Sequence, residues 1–143
     1  MGEFEFLDSV AIADCAMEVS GHDLDDLFET AARALAELMV DPPTVARVSE
    51  RTVTLSAPSV DMLLYDWLSE LIYVKDAERL IFPVARVRVR EGSPCGLTAD
   101  LEGGPIEAGR TALRSDPKAV TLHEFVVERN PAHGWRARVI VDI

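Results

Sequence analysis

The spacing of hydrophobic positions changes several times along the chain, and each change marks an element. Glu3 to Leu7 is short and aromatic, and after a break a second run sets Cys15, Met17 and Val19 inward against Ala16 and Glu18 outward, the two-residue period of a strand. Gly21 ends that run. Asp23 then stands where a helix N-cap is wanted, and Leu24, Leu27, Phe28, Ala31, Leu35 and Leu38 recur every three or four residues. Asp25, Asp26 and Glu29 suit the positive end of that helix dipole. Asp41-Pro42-Pro43 stops the helix, because proline has no amide hydrogen to continue it and restricts the residue before it. Thr44 to Ala57 is rich in β-branched residues and predicts a longer strand with room for an interruption. A second helix is predicted after a Ser59 cap, with Asp61 in its first turn, Leu64, Trp67, Leu68, Leu71 and Ile72 on one stripe, and Asp66, Glu70 and Tyr73 beside it.

From Leu80 the period returns to two. Val87 and Val89 alternate with Arg86, Arg88 and Arg90, Glu91-Gly92-Ser93-Pro94 supplies turn residues, and Leu97, Ala99 and Leu101 resume the alternation, which together predict a hairpin. Gly103-Gly104-Pro105 opens a predicted polar loop reaching Pro117, followed by a second hairpin of residues 120–129 and 135–143 around Asn130-Pro131-Ala132-His133-Gly134. Two helices among strands that pair mostly as hairpins predict an α+β domain spanning residues 1–143, with the helices packed on a mixed or antiparallel sheet. The two strand-helix-strand stretches raise the idea of a structural duplication, although no sequence repeat supports it.

Composition and charge narrow the class. The chain has 143 residues, 48% of them hydrophobic and 27% charged, so it has the material for one real core and lacks the composition of a disordered chain. Twenty-five acidic residues against fourteen basic ones leave a formal charge of −11, which disfavours autonomous nucleic-acid binding and favours a protein partner or a metal cation, or simply solubility. No stretch is apolar for long enough to span a bilayer and the N-terminus lacks a secretory pattern, so no membrane is expected and the cytoplasm is the expected compartment. Cys15 and Cys95 have no metal-ligand spacing and are expected as reduced core thiols.

Catalytic signatures are absent. His22, His123 and His133 are scattered without zinc-site spacing, there is no nucleophile elbow, and Gly103-Gly104 lacks the context of a phosphate loop. The carboxylates are more informative, since hard divalent cations take oxygen ligands. Asp14 begins a predicted strand and Asp142 closes the last one, next to the carboxylate of Ile143. Brought together, they would offer two side-chain carboxylates and a main-chain one to a single ion. Acidic residues at strand ends are also commonly just solvated, and the residues alone leave both readings open. Arg86, Arg88 and Arg90 are similarly open, as the solvent face of a strand or as a contact for an acidic partner or RNA.

The chain resembles the archease family at several separate places. Glu3-Phe4-Glu5-Phe6-Leu7 is similar to the family's opening strand, and Ala11-Ile12-Ala13-Asp14 falls where archeases have His-Thr-Ala-Asp. Gly21-His22-Asp23-Leu24-Asp25-Asp26-Leu27-Phe28 resembles the entry to the family's first helix, and Asp66-Trp67-Leu68-Ser69-Glu70-Leu71-Ile72-Tyr73 its second-helix signature. Lys118-Ala119-Val120-Thr121-Leu122-His123 and the run from Trp135 to Ile143 resemble its closing hairpin.

The resemblance implies a protein without an active site of its own, which activates RtcB-family RNA-splicing ligases in tRNA splicing by promoting guanylylation and multiple turnover. RNA would then be reached only through the ligase. It also implies a divalent cation, calcium in many relatives, held by Asp14, Asp142 and Ile143, with Lys118, His123, Asp66 and Glu70 as supporting or partner-contacting residues. A chaperone-like role toward an RNA-modifying enzyme such as a tRNA methyltransferase is the alternative that the family carries. A metal-dependent hydrolase built on the carboxylates is a third reading and would need a water-activating geometry. Ala11 and Ile12 depart from the family's His and Thr, with two extra residues before them, so no proton or phosphate role of that histidine is carried over.

Overall fold

The computed structural model describes residues 2–7 and 14–143. The elements run β1 (Glu3–Leu7), β2 (Asp14–Gly21), α1 (Leu24–Met39), a 3-10 turn (Pro42–Thr44), β3 (Ser49–Ala57), α2 (Val60–Glu78), β4 (Leu80–Arg90), β5 (Cys95–Pro105), β6 (Ala119–Asn130) and β7 (Gly134–Asp142). Every strand pairing is antiparallel, and the strands divide into a four-stranded sheet of order β1-β2-β7-β6 and a three-stranded sheet of order β3-β5-β4. This is the expected α+β class, with the strands shared between two sheets. α1 packs on β2 and on β4, while α2 packs on β3, β4, β5 and β6, so each helix touches both sheets. The two strand-helix-strand stretches are built differently. β2-α1-β3 passes from one sheet to the other, whereas β3-α2-β4 returns to the same sheet with β5 between its strands.

Local chemistry sets the helix ends. The Asp23 carboxylate accepts from the Asp26 amide at 2.8 Å, the expected cap, and the Asp26 carboxylate accepts from the amides of His22 and Gly2. Ser59 occupies the N-cap of α2 but its side chain makes no capping bond. The prolines end α1, and the exposed carbonyls of its last turn are taken up from a distance. The Arg114 guanidinium donates to Glu37 O, the Ser115 hydroxyl to Leu38 O and the Arg114 amide to Met39 O at 2.8 Å. The later part of the expected polar loop is therefore a strap across the end of α1.

Trp67 is fully buried between the helices, and its indole nitrogen donates to the Phe28 carbonyl at 3.0 Å. Around it one continuous core gathers Leu27, Leu35, Leu64, Leu68, Leu97 and Leu101. Cys95 is buried in that core and Cys15 is half-buried, both as free thiols. Among the described residues, no helix is long and apolar enough to cross a membrane.

Two boundaries and the facing of one residue differ from expectation. The β-branched stretch after the prolines starts with the 3-10 turn, and β3 begins only at Ser49. β5 continues through Gly103-Gly104-Pro105 instead of ending before them. A Cβ at Gly103 would collide with the Ile81 carbonyl and one at Gly104 with the Ala46 carbonyl, so these glycines let the strand pass between tight backbones where a loop was expected. Ala16, expected to face solvent, is 0% exposed, because its register neighbours Leu7 and Ile140 form an apolar row on the sheet face opposite the core side chain Met17.

Candidate functional site

The β2–β7 register creates the site. Cys15, Met17 and Val19 pair with Val141, Val139 and Ala137, mostly buried positions facing the helices, and a slip of one residue would turn all of them outward. The same register sets Asp14 directly across from Asp142 on the opposite face, with Ala119 of β6 flanking Asp142. Directly opposed side chains in an antiparallel pair lie about 4.5–5.5 Å apart at Cβ, close enough for two carboxyls to meet. The Asp14 carboxyl is held above the usual carboxylate range, first by its hydrogen bond with Asp142, then by loss of solvent and by the Asp142 charge, while the His123 imidazole acts in the other direction. Two carboxyls held this close repel each other when both are ionised.

β6 carries the remaining neighbours. The Lys118 amide donates to the Asp142 carbonyl at 2.7 Å, while the lysine itself is exposed. β6 leaves register between Thr121 and Val126, where Glu124 takes a left-handed conformation at φ 51°. His123 lies within that irregularity, exposed and 3.3 Å from the Glu124 carboxylate, and its charge acts on Asp14.

One supporting residue was not foreseen. Lys75, 6% exposed near the end of α2, directs its ammonium to the Asp116 carboxylate and the Pro117 carbonyl, both at 2.5 Å, and to the Asp76 carboxylate at 2.7 Å. It pins the chain just before Lys118 and so anchors the start of β6 against the strand that bears Asp142. Its pairing holds the Asp116 carboxyl below the usual range. The available signal was weak, a lysine directly after the apolar run from Leu71 to Val74 and before Asp76.

The arrangement suits a hard divalent ion in donor type, being carboxylate oxygens side by side. Among the described residues no cluster of three or more His, Cys, Asp or Glu side chains could hold a metal, so further donors would come from elsewhere, such as the Ile143 carboxylate, whose residue packs partly buried against the core.

Residues 4–143 match the model of the Archease protein family (MTH1598/TM1083). The chain belongs to the archease family. It is 37% identical over 141 residues to a protein archease of Archaeoglobus fulgidus, covering 99% of each chain, and 37% identical over 145 residues to that of Methanothermobacter thermautotrophicus, covering 100% of each. The solution structure of Methanobacterium thermoautotrophicum protein 1598 superposes with a TM-score of 0.79 at 34% identity, over 98% of both chains. The archease resemblance carried by the sequence motifs is thus a family membership, and the α+β fold is that of the solved relative.

Among the archease-like site residues, the structure brings together Asp14 and Asp142, with the Lys118 backbone alongside, while His123 acts on Asp14 only through its charge. Glu70 lies beside Arg51 of the other sheet, where its charge adds to that of Glu78, and Asp66 is half-buried on α2 without a hydrogen bond or ion pair among the described residues. Ala11 and Ile12 lie outside the described residues.

Proposed function

We propose that this archease is an accessory factor that activates an RtcB-family RNA-splicing ligase, promoting its guanylylation and multiple turnover in tRNA splicing. The observation that carries the reading is the Asp14–Asp142 pair, set face to face by strand register in a chain that belongs to the archease family along nearly its full length. A divalent ion, calcium in the first instance, would be held by Asp14, Asp142 and the Ile143 carboxylate, with Lys118 and His123 positioned to meet a partner's polar groups. The ion would supply a fixed positive charge where the protein alone has two competing carboxyls. The chain's own residues align the carboxylates through register, and Lys75 keeps the adjoining strand in place. The acidic surface supports a protein partner as the immediate target.

The decisive experiment measures turnover of the cognate ligase with GTP and a divalent ion, with and without this protein. Stimulation that disappears in Asp14→Ala and Asp142→Ala, both of which remain folded by circular dichroism, is the expected result. Absence of stimulation by the wild-type chain rejects the reading. A C-terminal extension is expected to weaken calcium affinity and an N-terminal one to leave it unchanged. Equal affinity in the two forms removes Ile143 from the ligand set.

A further inference from the structure

The outer face of the three-stranded sheet carries a second surface, independent of the ligase reading. Arg86, Arg88 and Arg90 are exposed on one face of β4, at intervals of about 6.6–6.8 Å for alternate strand residues. Register places Thr98 beside Arg88 and Gly96 beside Arg90 on β5, and then Thr54 and Ser56 on β3, so the half of the sheet around Arg88 and Arg90 presents guanidinium and hydroxyl groups only. Gly96 makes room for this arrangement: a Cβ there would come within 2.7 Å of the Arg90 guanidinium, so the side chain lies across the sheet surface over the glycine.

In a chain with 25 acidic residues, arginines generally find carboxylates, as Arg51, Arg114 and Arg136 do. Arg88 and Arg90 make no hydrogen bond or ion pair among the described residues. The acidic groups on this face sit at its other end, where Asp100, Glu102 and Glu50 lie in register with one another or with Arg86 and Val84. The adjoining edge of β4 is closed to strand addition. The Glu29 carboxylate accepts from the Val87 amide at 2.8 Å and the Asp25 carboxylate from the Val89 amide at 2.7 Å, so a partner meets the face of the sheet and not its edge.

We propose that this face binds a nucleic-acid strand through its phosphates, with Arg88 and Arg90 as the phosphate contacts and the flanking threonine and serine hydroxyls as further donors. Forked guanidinium groups match phosphate oxygens two at a time, and hydroxyls commonly complete such contacts. A protein interface would need a large apolar or aromatic anchor at its centre, and this half of the face has none. Without an aromatic platform there is no base stacking, so the contact reads backbone and not sequence. The overall charge of −11 does not forbid it, since at physiological salt the field is screened within about 8 Å and the contact is governed by the charges nearest the strand.

Fluorescence anisotropy of the full chain with a labelled single-stranded RNA of mixed sequence, titrated at several salt concentrations, tests this directly. Weak binding is expected at low salt, falling steeply as salt rises and little affected by changing the base sequence. Arg88→Ala and Arg90→Ala should each weaken it roughly tenfold and lower the salt slope by about one, while Arg129→Ala on the far hairpin leaves it unchanged. Circular dichroism melting of each variant separates loss of contact from loss of fold. No binding by wild type at low salt overturns the proposal, as does binding that survives Arg88→Glu/Arg90→Glu. Arginine-dependent capture of polyglutamate with no binding of RNA would overturn it in favour of an acidic protein segment.

Discussion

The four-stranded and three-stranded sheets both lay one face on α1 and α2, yet they finish their other faces in opposite ways. On the four-stranded sheet an apolar row through Ala16 and Ile140 is closed to solvent, and the row beside it sets two aspartates against each other. On the three-stranded sheet the outer face is mainly polar, with Arg88 and Arg90 exposed at one end and the acidic groups Glu50, Asp100 and Glu102 at the other. Net charge averages over this contrast and hides it. A carboxylate pair set together by register is an unfavourable local state when both groups are ionised, whereas spaced arginines on a wet face cost little.

The largest expected effect concerns whether the two sheets form one cooperative unit. Trp67→Ala removes the fully buried side chain at the helix junction and its bond to the Phe28 carbonyl, a loss of about 3–5 kcal/mol in urea unfolding. Trp135 in β7 is then the remaining tryptophan, and its fluorescence should follow the same transition as far-ultraviolet circular dichroism. Separate transitions would mean that the sheets are independent bodies.

Lys75→Ala should cost about 1–3 kcal/mol, chiefly through the buried Pro117 carbonyl losing its donor, and should speed hydrogen exchange at the Lys118 amide. Unchanged exchange there would show that β6 needs no anchor from α2. Smaller still are Asp25→Ala and Glu29→Ala, each about 1 kcal/mol, with light scattering expected to reveal association once the β4 edge amides are bare.

The smallest effect has the most telling sign. Asp14 binds its proton more tightly in the folded chain, so its contribution to stability is present below the ordinary carboxylate range and is lost as pH rises through its raised value. Asp116, lowered by Lys75, does the reverse: its contribution is present above the ordinary range and is lost as pH falls through its lowered value. Without divalent ions, Asp14→Asn should therefore melt slightly above wild type at neutral pH, an advantage that shrinks on acidification. Calcium should stabilise wild type and not the variant. A variant that melts lower at neutral pH in chelator would mean that the pair is not strained.

Much of the fold was legible because it rests on local rules. The period of two before Gly21, the three-to-four spacing from Leu24 to Leu38, the Asp23 cap and the proline stop place their elements with few long-range contacts to weigh. Asp14 and Asp142 were legible as candidates for the same reason, each lying at a strand end near a recognisable motif. The continuation of β5 through Gly103-Gly104-Pro105 was not, since glycine reads as a turn unless the backbones pressing on it are known. Lys75 was invisible as an anchor because its partners lie about forty residues away in a stretch with no periodicity.

By itself, then, the sequence determined the elements, the family and the residue types available for chemistry, since these depend on spacing and short-range propensity. Only the tertiary structure decided which residues meet. The register of β2 on β7 turned two distant aspartates into a facing pair, the pairing of β6 on β7 set the Lys118 amide on the Asp142 carbonyl, and the division into two sheets gave the arginines a face of their own. Each of these depends on strand pairing across long sequence separations, fixed by burying a whole core at once, and no local pattern encodes that choice.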